Sequence, residues 1–220
     1  MSLTTIVSYD GTPNDEDALT LARLLSKAGA TLILAYVRHS ADARDADQAQ
    51  ALLDRGLAML GDDTAETRVV VNASTSAGLE ELARDEDAHL IAFGSDYRTP
   101  AGHVDPQHSA QQLLQGGPAA IAIAPAGYQA TEIRTIGLLA GLDDGAAIDT
   151  AHALANQFAA TVTDRSYNVD LLIVGSRPEA HEGQTLVSAH AENALVGATA
   201  PVLVVGRGVP IDFRSQVYVT

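Results

Sequence analysis

Cysteine and tryptophan are absent from the 220-residue chain, and aromatic residues make up only 4% of it. Without cysteine there can be no disulfide framework, no thiolate zinc site and no cysteine nucleophile. A core with so few aromatic residues must be built mainly from Ala, Leu, Val and Ile, a composition expected of helices that cover a buried parallel sheet. At 46% hydrophobic residues the chain can form one large or two small domains.

Positive charge is also scarce. Lys and Arg total 13 against 28 Asp and Glu, the formal net charge is -15, and Lys27 is the only lysine. Such a chain repels phosphate backbones, so we expect no nucleic-acid partner. The sequence starts MSLTTIVSYDG, without a basic region, and no apolar run approaches the roughly 20 residues that span a bilayer. We therefore expect no membrane association and a cytoplasmic location.

Apolar runs of strand length alternate with segments of helical periodicity along the first half of the chain. This alternation predicts parallel strands joined by right-handed crossovers, hence an α/β fold. The predicted strands are residues 4–9, 31–37, 67–71, 89–93 and 119–124, and the predicted helices are residues 15–28, 45–60, 76–84 and 107–114.

A second, shorter copy of this pattern follows residues 125–131, which are rich in proline, glycine and small residues and are predicted to be a linker. Its predicted strands are residues 135–139, 160–163, 170–174 and 201–205, and its predicted helices are residues 146–158 and 185–196. One strand and two helices are missing from it. The sequence thus predicts a five-strand domain over residues 1–126, a truncated four-strand domain over residues 132–207 and a tail over residues 208–220.

Two segments of the second copy resemble the universal stress protein family: residues 170–177 read DLLIVGSR and residues 200–205 read APVLVV. The resemblance extends over nearly the whole chain up to Gly206. It implies two tandem Rossmann-like domains of the adenine nucleotide alpha hydrolase-like type with strand order 3-2-1-4-5, the second lacking its third strand. It also implies that fifth strands pair antiparallel across a two-fold axis, which a tandem chain can satisfy internally.

In nucleotide-binding members of this family the phosphates lie in a loop of the form G-x2-G-x9-G-[ST]. Glycine lets the backbone approach the phosphates, and amide groups at the helix start donate hydrogen bonds to them. In the first copy only Gly94 and Ser109 remain, while Tyr97 and His108 stand in the places of two glycines. Asp96 adds a negative charge beside the expected phosphate path.

The resemblance nevertheless implies a set of adenine-nucleotide contacts at the carboxyl edge of the first sheet, where open α/β folds bind ligands. Asp10 matches the family's aspartate at the end of the first strand, although an aspartate before glycine can equally serve only to cap the loop. The candidate binding residues are Asp10, Gly11, Val37, Gly94, Ser95, His108 and Ser109.

The equivalent site of the second copy is expected to be empty. Pro178, which cannot donate an N–H, replaces the second glycine, and Ser188-Ala189 replaces Gly-Ser. The position of Asp10 falls near Ala140 or Gly141.

Other catalytic chemistry has little support in the sequence. It contains no G-x-S-x-G, G-x-G-x-x-G or G-x-x-x-x-G-K-[ST] motif. His103, Asp105 and His108 are close enough in sequence to contribute to a metal site, and His108 could exchange a proton with Asp10, but both are weaker interpretations than exposed loop residues. We therefore expect no catalytic residues and no metal, with weak ATPase activity left open.

These observations predict a stress-response module that acts through dimerisation and protein contacts and carries a degenerate adenine-nucleotide crevice. The alternative is an ATP- or AMP-binding sensor with slow or no hydrolysis. A homodimer is expected because the truncated copy leaves a strand edge uncovered near residues 160–163. The tail is too apolar for a simple solvent tail and is predicted to cover an edge or reach a partner, through Val209, Ile211, Phe213, Val217 and Tyr218.

Overall fold

The computed structural model describes residues 3–213, apart from the side chains of residues 43 and 44. Its strands are β1 (Leu3–Ser8), β2 (Ala30–Arg38), β3 (Glu66–Val71), β4 (Leu90–Phe93), β5 (Ala120–Ile123), β6 (Thr135–Leu139), β7 (Thr161–Thr163), β8 (Leu171–Val174) and β9 (Val202–Val204). Its helices are α1 (Asp15–Ser26), α2 (Ala43–Leu60), α3 (Thr75–Asp85), α4 (His108–Leu113), α5 (Gly145–Phe158) and α6 (Ala189–Val196).

The nine strands form one sheet in the order β3-β2-β1-β4-β5-β9-β8-β6-β7. Neighbouring strands are parallel except β5 and β9, which are antiparallel. The prediction of an α/β fold with a mostly parallel, Rossmann-like sheet is therefore confirmed.

The sheet contains two runs of the same connectivity. From β3 to β5 the order is 3-2-1-4-5, and from β7 to β9 it is the same order without a third strand. Within the described residues the second run has two helices where the first has four. This is the pattern that the tandem hypothesis predicts, although both runs share one sheet. The division into two domains stays a prediction.

The antiparallel junction joins the two runs within one chain. Ile121 pairs with Val204, Ala122 with Leu203 and Ile123 with Val202. All six side chains are buried. The internal pairing of the two fifth strands is thus present in the structure, and it removes two apolar edges from solvent.

Helices cover both faces of the sheet. One hydrophobic core lies beneath α1, α2 and α5, and the other lies beneath α3, α4 and α6. Successive residues of a strand point to opposite cores, so that Tyr36 packs against the first and Val37 lies in the second. Both cores continue across the β5–β9 junction, because each contains residues of both runs.

One predicted helix starts too early. The helix predicted over residues 107–114 begins at His108, with Gln107 as its N-cap, which is within one residue of the prediction. The helix predicted over residues 185–196 begins at Ala189. Thr185 instead donates its hydroxyl to the Leu113 carbonyl at 2.8 Å, so a long-range contact overrides the local helical pattern.

The segment between β5 and β6, predicted to be a linker, is anchored to the first run. Asp17 accepts a hydrogen bond from the Gly127 amide at 2.8 Å, and Tyr128 and Ile133 are buried in the core. Residues 129–132 are exposed. The longest exposed stretch of this connection is therefore only four residues long.

The described part of the tail lies on α5. Ile211 and Phe213 are buried, the Ile211 amide donates to Thr150 Oγ1 at 2.9 Å, and Gln157 donates to the Phe213 carbonyl at 3.1 Å. Through Phe213 the tail thus completes the core instead of pairing with β7. Val217 and Tyr218 lie outside the described residues. No helix within residues 3–213 is long and apolar enough to cross a membrane.

Candidate functional site

The loop between β1 and α1 lies at the carboxyl edge of the sheet, where the sequence places the nucleotide. Asp10 is exposed, and its carboxylate accepts a hydrogen bond from the Thr12 amide at 3.0 Å. Gly11 has a φ of +80°, a conformation that favours glycine, and a Cβ here would lie 2.6 Å from Leu52 Cδ1. This geometry supports loop capping as a role of Asp10, and its ligand contact stays a prediction.

Asp15 is a buried carboxyl group in the same loop. It is only 2% exposed, and Oδ2 accepts hydrogen bonds from the amides of Asp10 at 2.5 Å and Gly11 at 2.9 Å. Burial, followed by the hydrogen bond and negative charge of Asp10, raises the pKa of Asp15 to about 8. In the sequence Asp15 is one of three acidic residues at the start of α1, which is ordinary for the positive end of a helix dipole.

Asn14 fastens this loop to the loop after β4. Its side-chain amide donates to the carbonyls of Ser95 at 3.2 Å and Asp96 at 2.6 Å. A Cβ on Gly94 would lie 2.0 Å from the Asn14 carbonyl oxygen. The absence of a side chain at Gly94 therefore makes room for the chain's own backbone, in the place where the family resemblance implies a phosphate.

Ser95 and Asp96 are also held by the protein itself. Ser95 is buried, donates its hydroxyl to the Ala124 carbonyl at 2.7 Å and accepts from the Asp105 amide at 3.2 Å. Arg98 lies 2.9 Å from Asp96, and its hydrogen bond lowers the pKa of that carboxyl group. The Ser95 hydroxyl and the Asp96 carboxylate are thus both bound by other groups of the protein.

An open cavity of about 500 Å³ remains beside these loops, between α3 and α4. Of the seven predicted site residues, His108 and Ser109 line it. Val37 lies under α3, because a Cβ on Gly78 would be 2.9 Å from Val37 Cγ1. The structure thus brings His108 and Ser109 together in this cavity, whose described lining does not include Asp10, Gly11, Val37, Gly94 or Ser95.

Several polar residues of the cavity were not among the predicted site residues. Ser74 caps α3 by accepting from the Ala77 amide, and Ser76 donates to Gln112 on α4 at 2.6 Å. His39 contributes an imidazole whose Nδ1 lies 2.9 Å from the Asn72 carbonyl oxygen. The sequence indicates Ser74, Ser76 and His39 only by their position. Each follows a predicted parallel strand and so lies at the carboxyl edge of the sheet.

The second run has its own smaller cavity, of about 270 Å³. A Cβ on Gly175 would lie 2.0 Å from Asp144 Oδ2, just as one on Gly94 would meet Asn14. Asp144 caps α5 and is 3% exposed, and burial raises its pKa. Pro178 and Ser188 line this cavity, as the sequence comparison of the two copies placed them. Its expected lack of a ligand stays a prediction.

The metal alternative drawn from His103, Asp105 and His108 gains no geometric support. Within the described residues, no three His, Asp or Glu side chains are grouped so that they could hold a metal ion.

Comparison with solved structures identifies the fold. A universal stress protein from Archaeoglobus fulgidus DSM 4304 superposes with a TM-score of 0.73 at 12% identity, over 94% of this chain and 100% of that chain. A protein assigned to the same family from Pseudomonas aeruginosa UCBPP-PA14 superposes with a TM-score of 0.67 at 15% identity, over 93% of each chain. This chain has the universal stress protein fold.

The similarity is structural, since no protein-family model and no curated protein matches the sequence. A protein from Pseudomonas aeruginosa PAO1 described as functionally unknown has a TM-score of 0.67 at 15% identity, over 94% of this chain and 93% of that chain. The universal stress protein fold of this chain thus extends across both runs of the sheet, and the site must be judged on its own residues.

Proposed function

We propose that this chain is a stress-response binding module of the universal stress protein type, that it acts through contacts between protein chains, and that it is not an enzyme. Its adenine-nucleotide crevice is degenerate in this proposal. The observation that carries it is the clasp formed by Asn14, whose side chain binds the Ser95 and Asp96 carbonyls while its own carbonyl packs on Gly94. These are protein groups in the place expected for phosphate.

Electrostatics support the same proposal. The carboxylates of Asp10 and Asp96 lie beside the expected phosphate path, and the guanidinium of Arg98 is already paired with Asp96. A triphosphate entering there would meet carboxylates without a free cation to offset them. We therefore expect ATP and AMP to bind weakly or not at all.

Calorimetric titration of the full chain with ATP and with AMP, each with and without Mg²⁺, tests this function. The proposal predicts dissociation constants in the millimolar range or no measurable heat. In a variant carrying Tyr97→Gly and His108→Gly, which restores the glycines of the loop, ATP binding should become tighter if loop sterics cause the weakness. Replacing Tyr167, an exposed tyrosine of the second run, with glycine serves as the control.

A second candidate, an ATP or AMP sensor, is favoured by the open cavity itself. Its volume of about 500 Å³ is within the range of small-molecule sites, and His108, Ser109 and the start of α3 line it. Micromolar binding by the unmodified chain, abolished by Asp10→Ala, would establish the sensor and overturn the binding-module proposal.

A further inference from the structure

Another cavity, of about 490 Å³, lies between the end of β2 and α2. Residues of one α2 face line it at helical spacing, namely Asp45, Gln48, Leu52 and Arg55, and they are joined by Tyr36 and Arg38 from β2. Tyr36 packs on the α1–α2 side of the sheet, whereas Val37 faces α3. This cavity is thus on the α1–α2 side of the sheet, and it adjoins the crevice lined by His108 and Ser109 at His39, which lines both.

Arg38 lines this cavity from the end of β2. Its Nη1 donates to the Asp42 carbonyl at 2.6 Å, which orients the guanidinium. Its Nε has almost no accessible surface and no hydrogen-bond partner within the described residues. Because a ligand oxygen cannot reach this enclosed nitrogen, a ligand would contact the outer nitrogens of the guanidinium.

Arg55 supplies a second cation to the same cavity. In a chain with 28 acidic residues, most arginines of the described part are paired with carboxylates, namely Arg68, Arg84, Arg98, Arg134, Arg177 and Arg207. Arg38 and Arg55 form no such ion pair within residues 3–213. Because acidic residues outnumber basic ones in this chain, two arginines without a carboxylate partner in one cavity are unexpected.

The other residues that line the cavity limit the charge and polarity of a ligand that can bind there. Tyr36 and Leu52 present aromatic and aliphatic surface, and Asp45 contributes one negative charge against the two arginines. The surplus of one positive charge suits a singly charged group better than a triphosphate. Guanidinium groups bind carboxylates and phosphates through paired N–H donors.

We propose that this cavity is a binding site for a small oxyanion, a carboxylate or a phosphate, that carries an apolar or aromatic group. The guanidinium groups of Arg38 and Arg55 hold the oxyanion, and Tyr36 and Leu52 contact the apolar part. His39 lines both this cavity and the crevice, but these four residues do not line the crevice, so the proposal does not depend on whether the crevice binds ATP.

Titration of the full chain with benzoate, phenyl phosphate and inorganic phosphate, followed through the arginine Nε–H signals in ¹⁵N-correlated NMR spectra, tests the proposal. We expect saturable shifts of the Arg38 signal, and at least tenfold weaker binding in Arg38→Gln and in Arg55→Gln. Arg165→Gln is the matched control, because it removes an exposed arginine of the second run. Binding should be unchanged in this control.

The preferred probe identifies the ligand. Tighter binding of benzoate indicates a carboxylate, and tighter binding of phenyl phosphate indicates a phosphate ester. The proposal is wrong if none of the three probes gives a saturable shift, or if Arg165→Gln weakens binding as much as Arg38→Gln does. Circular dichroism of each variant verifies that the fold is retained, so a loss of binding can be assigned to the site.

Discussion

Asp15 is the residue whose environment departs furthest from what its position in the sequence suggests. Because its pKa is raised to about 8 in the folded state, the folded chain keeps a proton that the unfolded chain loses near pH 4. The stability associated with this proton is fully present below about pH 4. It is lost as the pH rises through the folded pKa of about 8.

Asp15→Asn should therefore remove part of the pH dependence of the free energy of unfolding. The amide can still accept from the Asp10 and Gly11 amides, and it cannot ionise. Urea unfolding should show that the stability gained by the variant over wild type is larger at pH 8.5 than at pH 5, by more than about 1 kcal/mol. Asp47→Asn, at an exposed site, is the control. A variant less stable than wild type at pH 8.5 would mean that the ionised carboxylate is the stabilising form.

Gly94 tests whether the Asn14 clasp is part of the packed structure. Gly94→Ala places a Cβ 2.0 Å from a backbone oxygen, so the loops must separate, and we expect a loss of about 3 kcal/mol in the free energy of unfolding. Gly145→Ala is matched to it, since a Cβ there meets nothing within 4 Å and the residue begins α5. Its effect should stay within about 1 kcal/mol. If both variants change the urea midpoint equally, the loops that contain Asn14 and Gly94 can move apart without loss of stability.

For single residues, the sequence predicted where a residue lies more often than it predicted what that residue contacts. The need for glycine at Gly94 was recognised from the loop motif, but the group that packs against it, Asn14, is 80 positions away in the chain and carries no motif. The burial of Asp15 depends on the loop folding back over it. Both facts come from contacts between loops, which periodicity does not report.

Among the helices, α5 has a role that the sequence did not predict. Its residue Thr150 binds the start of the tail. This buried hydroxyl donates to the Ala146 carbonyl at 2.8 Å and accepts from the Ile211 amide at 2.9 Å. Thr150→Val keeps the shape and leaves that amide without an acceptor, so we expect a loss of about 1–3 kcal/mol in the free energy of unfolding. Hydrogen exchange at the Ile211 amide should become faster.

Thr20→Val on α1 is the control for this effect. Thr20 also donates to a carbonyl one turn earlier, that of Glu16, but its hydroxyl bond is exposed and holds no distant segment. Its effect should remain within about 0.5 kcal/mol. If both variants lose the same stability, the tail contact contributes nothing beyond the helix.

The elements themselves were well predicted where a local pattern governs them. Strands differ from prediction by only one or two residues at an end, since buried apolar runs fix their positions. The start of α6 was wrong because Thr185 and Val187 bind the Leu113 and Leu114 carbonyls, at the end of a helix more than 70 residues earlier. Helix ends set by such distant partners could not be read from composition or spacing.

At the scale of the whole molecule, the antiparallel junction replaces a contact between two chains by one within a chain. That junction was predicted from the family resemblance, because neither β5 nor β9 carries a charge that would protect an edge. The same resemblance implied the order of the strands on either side, and the alternation of strands and helices predicted that they are parallel. The described edges of the sheet are now β3 and β7.

The edge at β7 is the basis of the last prediction, that two chains associate. β7 is only three residues long, and the third strand that covers its equivalent in the first run is missing. The tail up to Phe213 packs on α5 and leaves this edge unpaired within the described residues. We expect a homodimer, in which a second chain contributes a strand or its residues 214–220 to the edge.

Light scattering on the full chain and on a chain ending at Phe213 tests this assembly. A cut at Gly206 would remove the buried Ile211 and Phe213 and is therefore unsuitable. Dimers of both chains, with twice 22.8 kDa for the full chain, would place the contact within residues 1–213, and a dimer of the full chain alone would assign it to the last seven residues. Thr161→Lys, which puts a charge on the edge strand, should yield monomers if β7 pairs between chains. Monomers at micromolar concentration for the unmodified full chain would show that the open edge is tolerated as it stands, as its short length would allow.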